Sequence, residues 1–182
     1  MLRLFDLIFA VLGLTMLLPV LLILFIIGLF DTGSPLFIQK RMGKNERLFK
    51  LVKFRTMAVG TPSVGSHEVG TAYITKFGRF LRASKLDELP QLWNVFLGSM
   101  SLVGPRPNLP NQELLIQHRR AKSVYAIRPG ITGLAQVQNI DMSTPEILSE
   151  VDAQMISELG LSSYFKFIFM TISGSGAGDA AK

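Results

Sequence analysis

Leu7 to Phe30 form a run of 24 residues without a charge, and Pro19 stands in its middle. As a helix rising about 1.5 Å per residue, the run is roughly 36 Å long, enough for a bilayer core of about 30 Å. It is too long for the apolar part of a cleaved signal, and Asp31-Thr32-Gly33-Ser34-Pro35 offers no clear small-residue cleavage site. Pro19 cannot donate a backbone hydrogen bond and its ring clashes with the preceding turn, so the helix kinks or breaks there. Two geometries follow. A kinked span places Lys40, Arg41 and Lys44 in the cytoplasm by the positive-inside rule and the N-terminus outside. Two half-helices that dip in and return leave Arg3 on the same side as those cations. On residues alone the span is favoured, since kinked spans are common and lipid-exposed breaks are costly.

At 182 residues the chain suits one compact domain beside such an anchor, not two. Its net charge is +6, and 11 of its 19 Lys and Arg residues fall between Lys40 and Lys85, opposed only by Glu46 and Glu68. This half faces anions. Nucleic acid, anionic headgroups and nucleotide-sugar phosphates all satisfy it, so charge alone does not choose. The absence of cysteine excludes disulfides, a thiolate nucleophile and Cys-rich zinc sites.

Phe37 to Arg41 and Leu48 to Phe54 flank the turn-rich Gly43-Lys44-Asn45-Glu46 and predict a short hairpin with a cationic exposed face. Residues 58 to 73, with Gly60, Pro62, Gly65 and Gly70, predict a mobile loop able to close over a ligand. Gln112 to Tyr125 predicts a helix whose His118, Arg119, Arg120 and Lys122 complement its dipole from a solvated face. Thr144-Pro145 starts another, with Leu148, Val151, Met155 and Leu159 as core and Gly160 as its stop. Phe165 to Met170 suits a membrane interface or the interior. His67 and His118 lie far apart without metal-ligand or triad partners, and the chain has no Walker loop, dinucleotide fingerprint or internal repeat.

The chemistry is expected at two adjacent carboxylates, Asp87 and Glu88, set between Arg79, Arg82 and Lys85 on one side and Leu89 to Asn94 on the other. Leu89, Leu92, Trp93 and Phe96 recur at helical spacing with Gly98 as stop, so the two carboxylates are expected to open a helix. Ser84 with Asp87 also matches a capping box, a purely structural role. That start would put Pro90 inside the hydrogen-bonded helix, whereas a start near Asp87 leaves it in the tolerant first turn. At the positive end of a helix dipole the ionised form is favoured, which suits a metal ligand or an anionic nucleophile. Two rigid turns, Gly104-Pro105-Arg106-Pro107 and Arg128-Pro129-Gly130-Ile131-Thr132-Gly133, hold an arginine each, the residue fitted to bidentate phosphate contacts.

Five blocks in order resemble the signatures of the bacterial sugar transferases: Lys53 to Met57, Phe77 to Arg82, Leu86 to Leu92, Ser101 to Pro107 and Arg128 to Val137. More narrowly, the chain resembles a small monotopic polyprenyl-phosphate phosphoglycosyl transferase. The resemblance implies an α+β, mostly helical fold: a re-entrant helix broken at Pro19, a small β-hairpin, and amphipathic and interfacial helices around a catalytic helix N-terminus. It implies residues 1–30 in the membrane and 31–182 as a catalytic domain at the cytoplasmic face of a bacterial inner membrane. The substrates implied are a UDP-sugar and undecaprenyl phosphate, with UMP released and a surface glycan or glycoprotein oligosaccharide begun. By the same resemblance Asp87 is the nucleophile of a covalent phosphosugar intermediate, Glu88 binds Mg2+, and Lys53, Arg82, Arg106 and Arg128 hold phosphates. Membrane lipids are partners, nucleic acid is not, and a homo-oligomer is compatible. Members often carry Ser-Pro at the break; here Leu18 precedes Pro19, and Thr15 is the hydroxyl nearest to it.

A different class, a membrane-anchored phosphate- or nucleic-acid-binding module, fits the basic balance. Against it stand the carboxylates, which repel phosphate unless a metal or chemistry is involved, and the lack of aromatic interleaving in a basic groove. A structural scaffold would tolerate loss of both carboxylates. No residue pattern names the sugar.

Overall fold

The computed structural model describes residues 2–61 and 71–176. The apolar run divides at Leu17 into α1 (Leu2–Met16) and α2 (Leu18–Thr32), bent by 62°. Pro19 falls in the first turn of α2, where its missing N–H breaks no bond of that helix. The backbone carries on through the bend, Leu17 N donating to Gly13 O at 2.9 Å and Leu21 N to Leu17 O at 2.8 Å. The Thr15 hydroxyl donates to Val11 O (2.9 Å) and Leu12 O (3.1 Å), one turn before the break, a back-bond that bends helices. Among the described residues no single helix is long and apolar enough to cross a membrane; the bent pair reaches that length only together.

Both ends of the pair are fastened to one body. At the start of α1, Arg3 donates to Val95 O (2.7 Å) and Phe96 O (3.1 Å), and at the end of α2 Asp31 accepts from the Thr75 hydroxyl (2.7 Å). The kinked span favoured on residues alone puts Arg3 across a bilayer from Lys40; here Arg3 and Asp31 are both tied to the domain that carries Lys40. Asp6 deepens the attachment: its Oδ1 accepts from Ser101 Oγ (2.9 Å), Leu102 N (2.9 Å) and Tyr164 OH (2.8 Å).

Strands β1 (Leu36–Met42) and β2 (Leu48–Phe54) form the expected antiparallel hairpin, running from Leu36 opposite Phe54 to Met42 opposite Leu48. Its outer face carries exposed Lys40 opposite Lys50, so the cationic surface is present, mixed with Ile38 and Leu48. Most of the expected loop, residues 62–70 with His67, lies outside the described residues. Next come α3 (Lys76–Ala83), a 3-10 turn (Leu86–Glu88), α4 (Gln91–Leu97) and β3 (Ser101–Val103). Gly98, left-handed at φ 86°, ends α4 as expected. β3 pairs in parallel with β4 (Gly130–Thr132) through α5 (Glu113–Ala121) as crossover. A short α6 (Leu134–Val137), α7 (Pro145–Ser157) and α8 (Leu161–Ile172) complete the chain.

Three differences from expectation have local causes. The helix expected over 112–125 stops at Ala121, because Ser123 turns left-handed (φ 56°) ahead of a separate 3-10 turn, Val124–Ala126. Arg119, expected on its solvated face, is 1% exposed. Gly160 is not a stop: α7 is capped at Glu158, and Gly160 is the N-cap of α8, its N–H bonded to Ser163 Oγ at 2.8 Å.

The apolar pair enters the core three times. Leu2 and Phe5 join Val103, Val137, Met155, Tyr164 and Phe167; Ala10 packs with Leu51, Val95 and Met100; Leu24 meets Phe54 and Leu81. In α2 only Leu24 and Gly28 are buried and Leu21 half-buried beside them, so most of an almost wholly apolar helix stays uncovered.

Candidate active site

Asp87 and Glu88 are 1% and 9% exposed. They occupy the 3-10 turn Leu86–Glu88, and α4 begins only at Gln91 with Pro90 as N-cap. The expected helix start at Asp87 therefore shifts by one turn. Lys85 enters the turn left-handed at φ 57°, and Glu88 N bonds to Lys85 O while Leu89 N bonds to Leu86 O, both at 3.3 Å. Ser84 takes no part in a capping box: it closes α3, its hydroxyl donating to Phe80 O at 2.7 Å. A non-glycine residue held left-handed beside a candidate site is strain that the surrounding packing has to hold.

Burying two carboxylates is costly unless cations share the burial. Here Lys53 (7% exposed) and Arg82 (6%) are buried too, on β2 and α3, and both elements pack against the carboxylate turn. Arg106 Nη2 lies 2.8 Å from Glu88 Oε1 in an ion pair that spans the two sequence blocks. Arg82 Nε donates to Thr56 Oγ1 at 2.9 Å, which ties α3 to the end of β2. That approach depends on Gly78, where a Cβ would stand 2.0 Å from Thr56 O. Lys53 lies over the Phe37 ring, 6.0 Å from its centre. Arg128 is placed elsewhere: its Nε donates to Gly98 O at 2.8 Å, at the far end of α4 from the carboxylates. Lys85 turns away as well, its Nζ donating to Ser175 O at 2.7 Å beyond the end of α8.

The donor set bears on a metal. Among the described residues no three His, Asp or Glu side chains gather to form a cage. Two adjacent carboxylates nevertheless suit Mg2+, which is held by one or two carboxylates and completed by substrate phosphates and water. Asp87 and Glu88 fit an ion that arrives with a diphosphate.

Residue patterns did not reveal everything near the site. Thr56 lies within a quoted block, yet nothing in its spacing marks it as the partner of Arg82. Arg119 pairs with Asp152 at 2.7 Å, both nearly inaccessible, and burial pushes the Asp152 carboxyl above its ordinary range while Arg119 pulls it down. In sequence Arg119 is one cation of a basic run, and no local signal separates it from exposed Arg120.

A family model described as bacterial sugar transferase matches residues 1–176. The chain is 35% identical to a UDP-galactose-lipid carrier transferase of Erwinia amylovora, across 93% of this chain and 39% of that protein. It is 41% identical to the UDP-glucose:undecaprenyl-phosphate glucose-1-phosphate transferase of Xanthomonas campestris pv. campestris, across 78% of this chain and 31% of that one. With the uncharacterized sugar transferase EpsL of Bacillus subtilis it shares 35% identity across 93% of this chain and 84% of the relative. It thus spans between about a third and two fifths of the first two relatives, and most of the third.

Proposed function

The chain belongs to the bacterial sugar transferase family, and from that premise we propose that it transfers a sugar 1-phosphate from a UDP-sugar to undecaprenyl phosphate, releasing UMP. The observation that supports this best is the burial of Asp87 and Glu88 together with Lys53 and Arg82, closed by the 2.8 Å pair between Arg106 and Glu88. A diphosphate is already anionic, so a carboxylate attacks it only where fixed cations offset the repulsion.

Asp87 is the nucleophile. Its carboxylate oxygen forms a bond to the sugar-bearing phosphorus as the bond from that phosphorus to the UMP oxygen breaks, and UMP leaves with the electron pair. The sugar phosphate is then held on Asp87 as an acyl phosphate. An oxygen of undecaprenyl phosphate attacks the same phosphorus, the bond to Asp87 breaks, and the carboxylate is restored. Glu88, together with the substrate phosphates, would hold Mg2+, which would supply neutralisation of the charge on the leaving phosphate. We assign Lys53, Arg82 and Arg106 to binding and orienting the phosphates; Arg128, bonded to Gly98 O at the far end of α4, lies apart from that group.

The lipid acceptor gives the uncovered apolar helices their role. We place residues 1–30 in the membrane as a re-entrant pair, with the remainder on the cytoplasmic face of the inner membrane. The seating of Arg3 on α4 and of Asp31 against Thr75 supports a return to one side. Labelling a cysteine introduced at position 3 in intact cells tests this: protection from a periplasmic reagent is expected, and periplasmic labelling contradicts it.

Activity is tested by UMP release from a panel of UDP-sugars with Mg2+ and undecaprenyl phosphate. Sustained release beyond one UMP per chain that depends on lipid, and loss of that release in Asp87→Asn and Glu88→Gln, are expected. No release from any donor overturns the assignment and favours a binding module, and release indifferent to Asp87→Asn overturns the role of Asp87.

A further inference from the structure

We propose that Arg119 is a positioning residue for this site: by holding the Arg106 carbonyl it fixes the Arg106 side chain against Glu88. The functional meaning rests on the transferase reading; the geometry does not. Arg119 is 1% exposed, and its guanidinium bonds in two directions. Nε and Nη2 donate to the same oxygen of Asp152, at 3.0 and 2.7 Å. Nη1 reaches the other way, to Arg106 O at 2.8 Å and Asn108 Oδ1 at 3.0 Å. The Tyr125 hydroxyl donates to that same Asn108 oxygen at 2.9 Å.

The loop so held is fixed one carbonyl at a time. Pro105 O accepts from Gly130 N (2.9 Å), Arg106 O from Arg119 (2.8 Å), Pro107 O from Arg41 Nη1 (3.2 Å) and Asn108 O from Met42 N (2.9 Å). Four consecutive carbonyls are thus tied to β4, α5 and the end of β1. Only the tie at Arg106 itself comes from a fully buried cation with its own buried counter-ion. Two flanking prolines fix φ on either side, so the peptide of Arg106 has little freedom left.

A buried ion pair is poor evidence for stability, since apolar residues of similar volume often replace one at no loss. If packing α5 on α7 were all that this position needed, such a pair would serve. What an apolar pair cannot supply is a donor to Arg106 O. An error of about 1 Å in a phosphate-holding group costs on the order of 100-fold in rate, so the tie bears directly on turnover.

The test is the variant Arg119→Met with Asp152→Leu in the full chain, which removes the pair and keeps the volume. Two readouts separate the possibilities. Arginine Nε–Hε NMR, with the Arg106 signal assigned by Arg106→Lys, reports the order of that side chain without any substrate. The expected result is a dispersed, slowly exchanging signal in the native chain that collapses toward the position of a free arginine in the variant. UMP release is expected to fall about 100-fold. In an Arg106→Ala background the same double substitution is expected to cost less than about twofold more, because groups acting in series are not additive. An unchanged Arg106 signal overturns the proposal, as does a loss that multiplies fully with Arg106→Ala. Should the double variant lose its near-UV signal, Arg119→Lys replaces it, keeping a charge for Asp152 but not the fork that reaches both partners; the same outcomes decide. If the native chain releases no UMP, the transferase reading fails while the arginine spectrum still decides whether Arg119 positions Arg106.

Discussion

Asp6 carries the attachment of the apolar pair, and its loss has a calculable size. Three donors converge on one carboxylate oxygen: Ser101 Oγ at 2.9 Å, Leu102 N at 2.9 Å and Tyr164 OH at 2.8 Å. Asp6 is 2% exposed and Tyr164 0%, so water does not replace the bonds. Burial, with Asp6 adding to it, pushes the Tyr164 hydroxyl far above its ordinary range, and it stays a donor at any working pH. In Asp6→Ala the serine hydroxyl can rotate to another acceptor, but Leu102 N and Tyr164 OH are left buried and unpaired. At about 1–3 kcal/mol each, the cost is about 4 kcal/mol. Asp6→Asn keeps an acceptor oxygen in place and loses only the charge, about 1 kcal/mol. For a chain of this size about 2–4 °C of melting temperature goes with each kcal/mol, giving falls of roughly 8–16 °C for Ala and 2–4 °C for Asn. The assay is thermal unfolding in detergent micelles followed by Trp93, which lies on α4 beside the attachment. An Asp6→Ala chain that melts within about 2 °C of the native one refutes the reasoning, and so does an Asn variant as damaged as Ala.

Gly78→Ala drives a Cβ into Thr56 O and its backbone, with contacts of 2.0 to 2.7 Å, so α3 has to move off β2; a loss of about 3 kcal/mol in denaturant melts is expected, together with loss of UMP release as Arg82 leaves Thr56. The hairpin tip is pH-sensitive in a definite direction. The bond from Arg120 holds the Glu46 carboxyl below the ordinary value of 4.5, so its stabilisation is present above that value and is lost as pH falls through the lower folded one. The melting gap between the native chain and Glu46→Gln should therefore be constant above pH 5 and close in acid. For the metal, Glu88 is paired with Arg106 and no third ligand stands by among the described residues, so Mg2+ alone should leave the melting temperature unchanged, whereas chelation with EDTA should abolish UMP release and added Mg2+ restore it.

Local chemistry made much of this legible. The Pro19 break, the hairpin around Gly43 to Glu46, the Gly98 stop and the Thr144-Pro145 start each depend on one or two residues with distinctive backbone preferences, and each is where the sequence puts it. The ordered blocks marked Lys53, Arg82, Asp87 and Glu88 as site residues, but their burial was not legible, because charge patterns by themselves describe a solvated surface. Contacts between distant segments were hidden. Nothing local in Asp6 shows that it meets residues 101, 102 and 164, and Arg119 shares its run with Arg120, which is exposed and pairs with Glu46. The resemblance implied a re-entrant pair, but residues alone hid the attachment of both its ends to one body: the bonds from Arg3 to the end of α4 cross more than ninety positions.

Covalent attachment of the sugar phosphate to Asp87 is the step on which the proposed chemistry depends. The most direct measurement is single turnover without lipid: the native chain, Mg2+ and an accepted UDP-sugar, followed by UMP quantitation and mass analysis of the peptide containing Asp87. A burst approaching one UMP per chain and a peptide heavier by one sugar phosphate are expected, both absent from Asp87→Asn, with the added mass lost from the peptide once undecaprenyl phosphate is supplied. UMP that forms only when lipid is present, with the Asp87 peptide unmodified throughout, would contradict covalent attachment and show direct transfer between the two substrates.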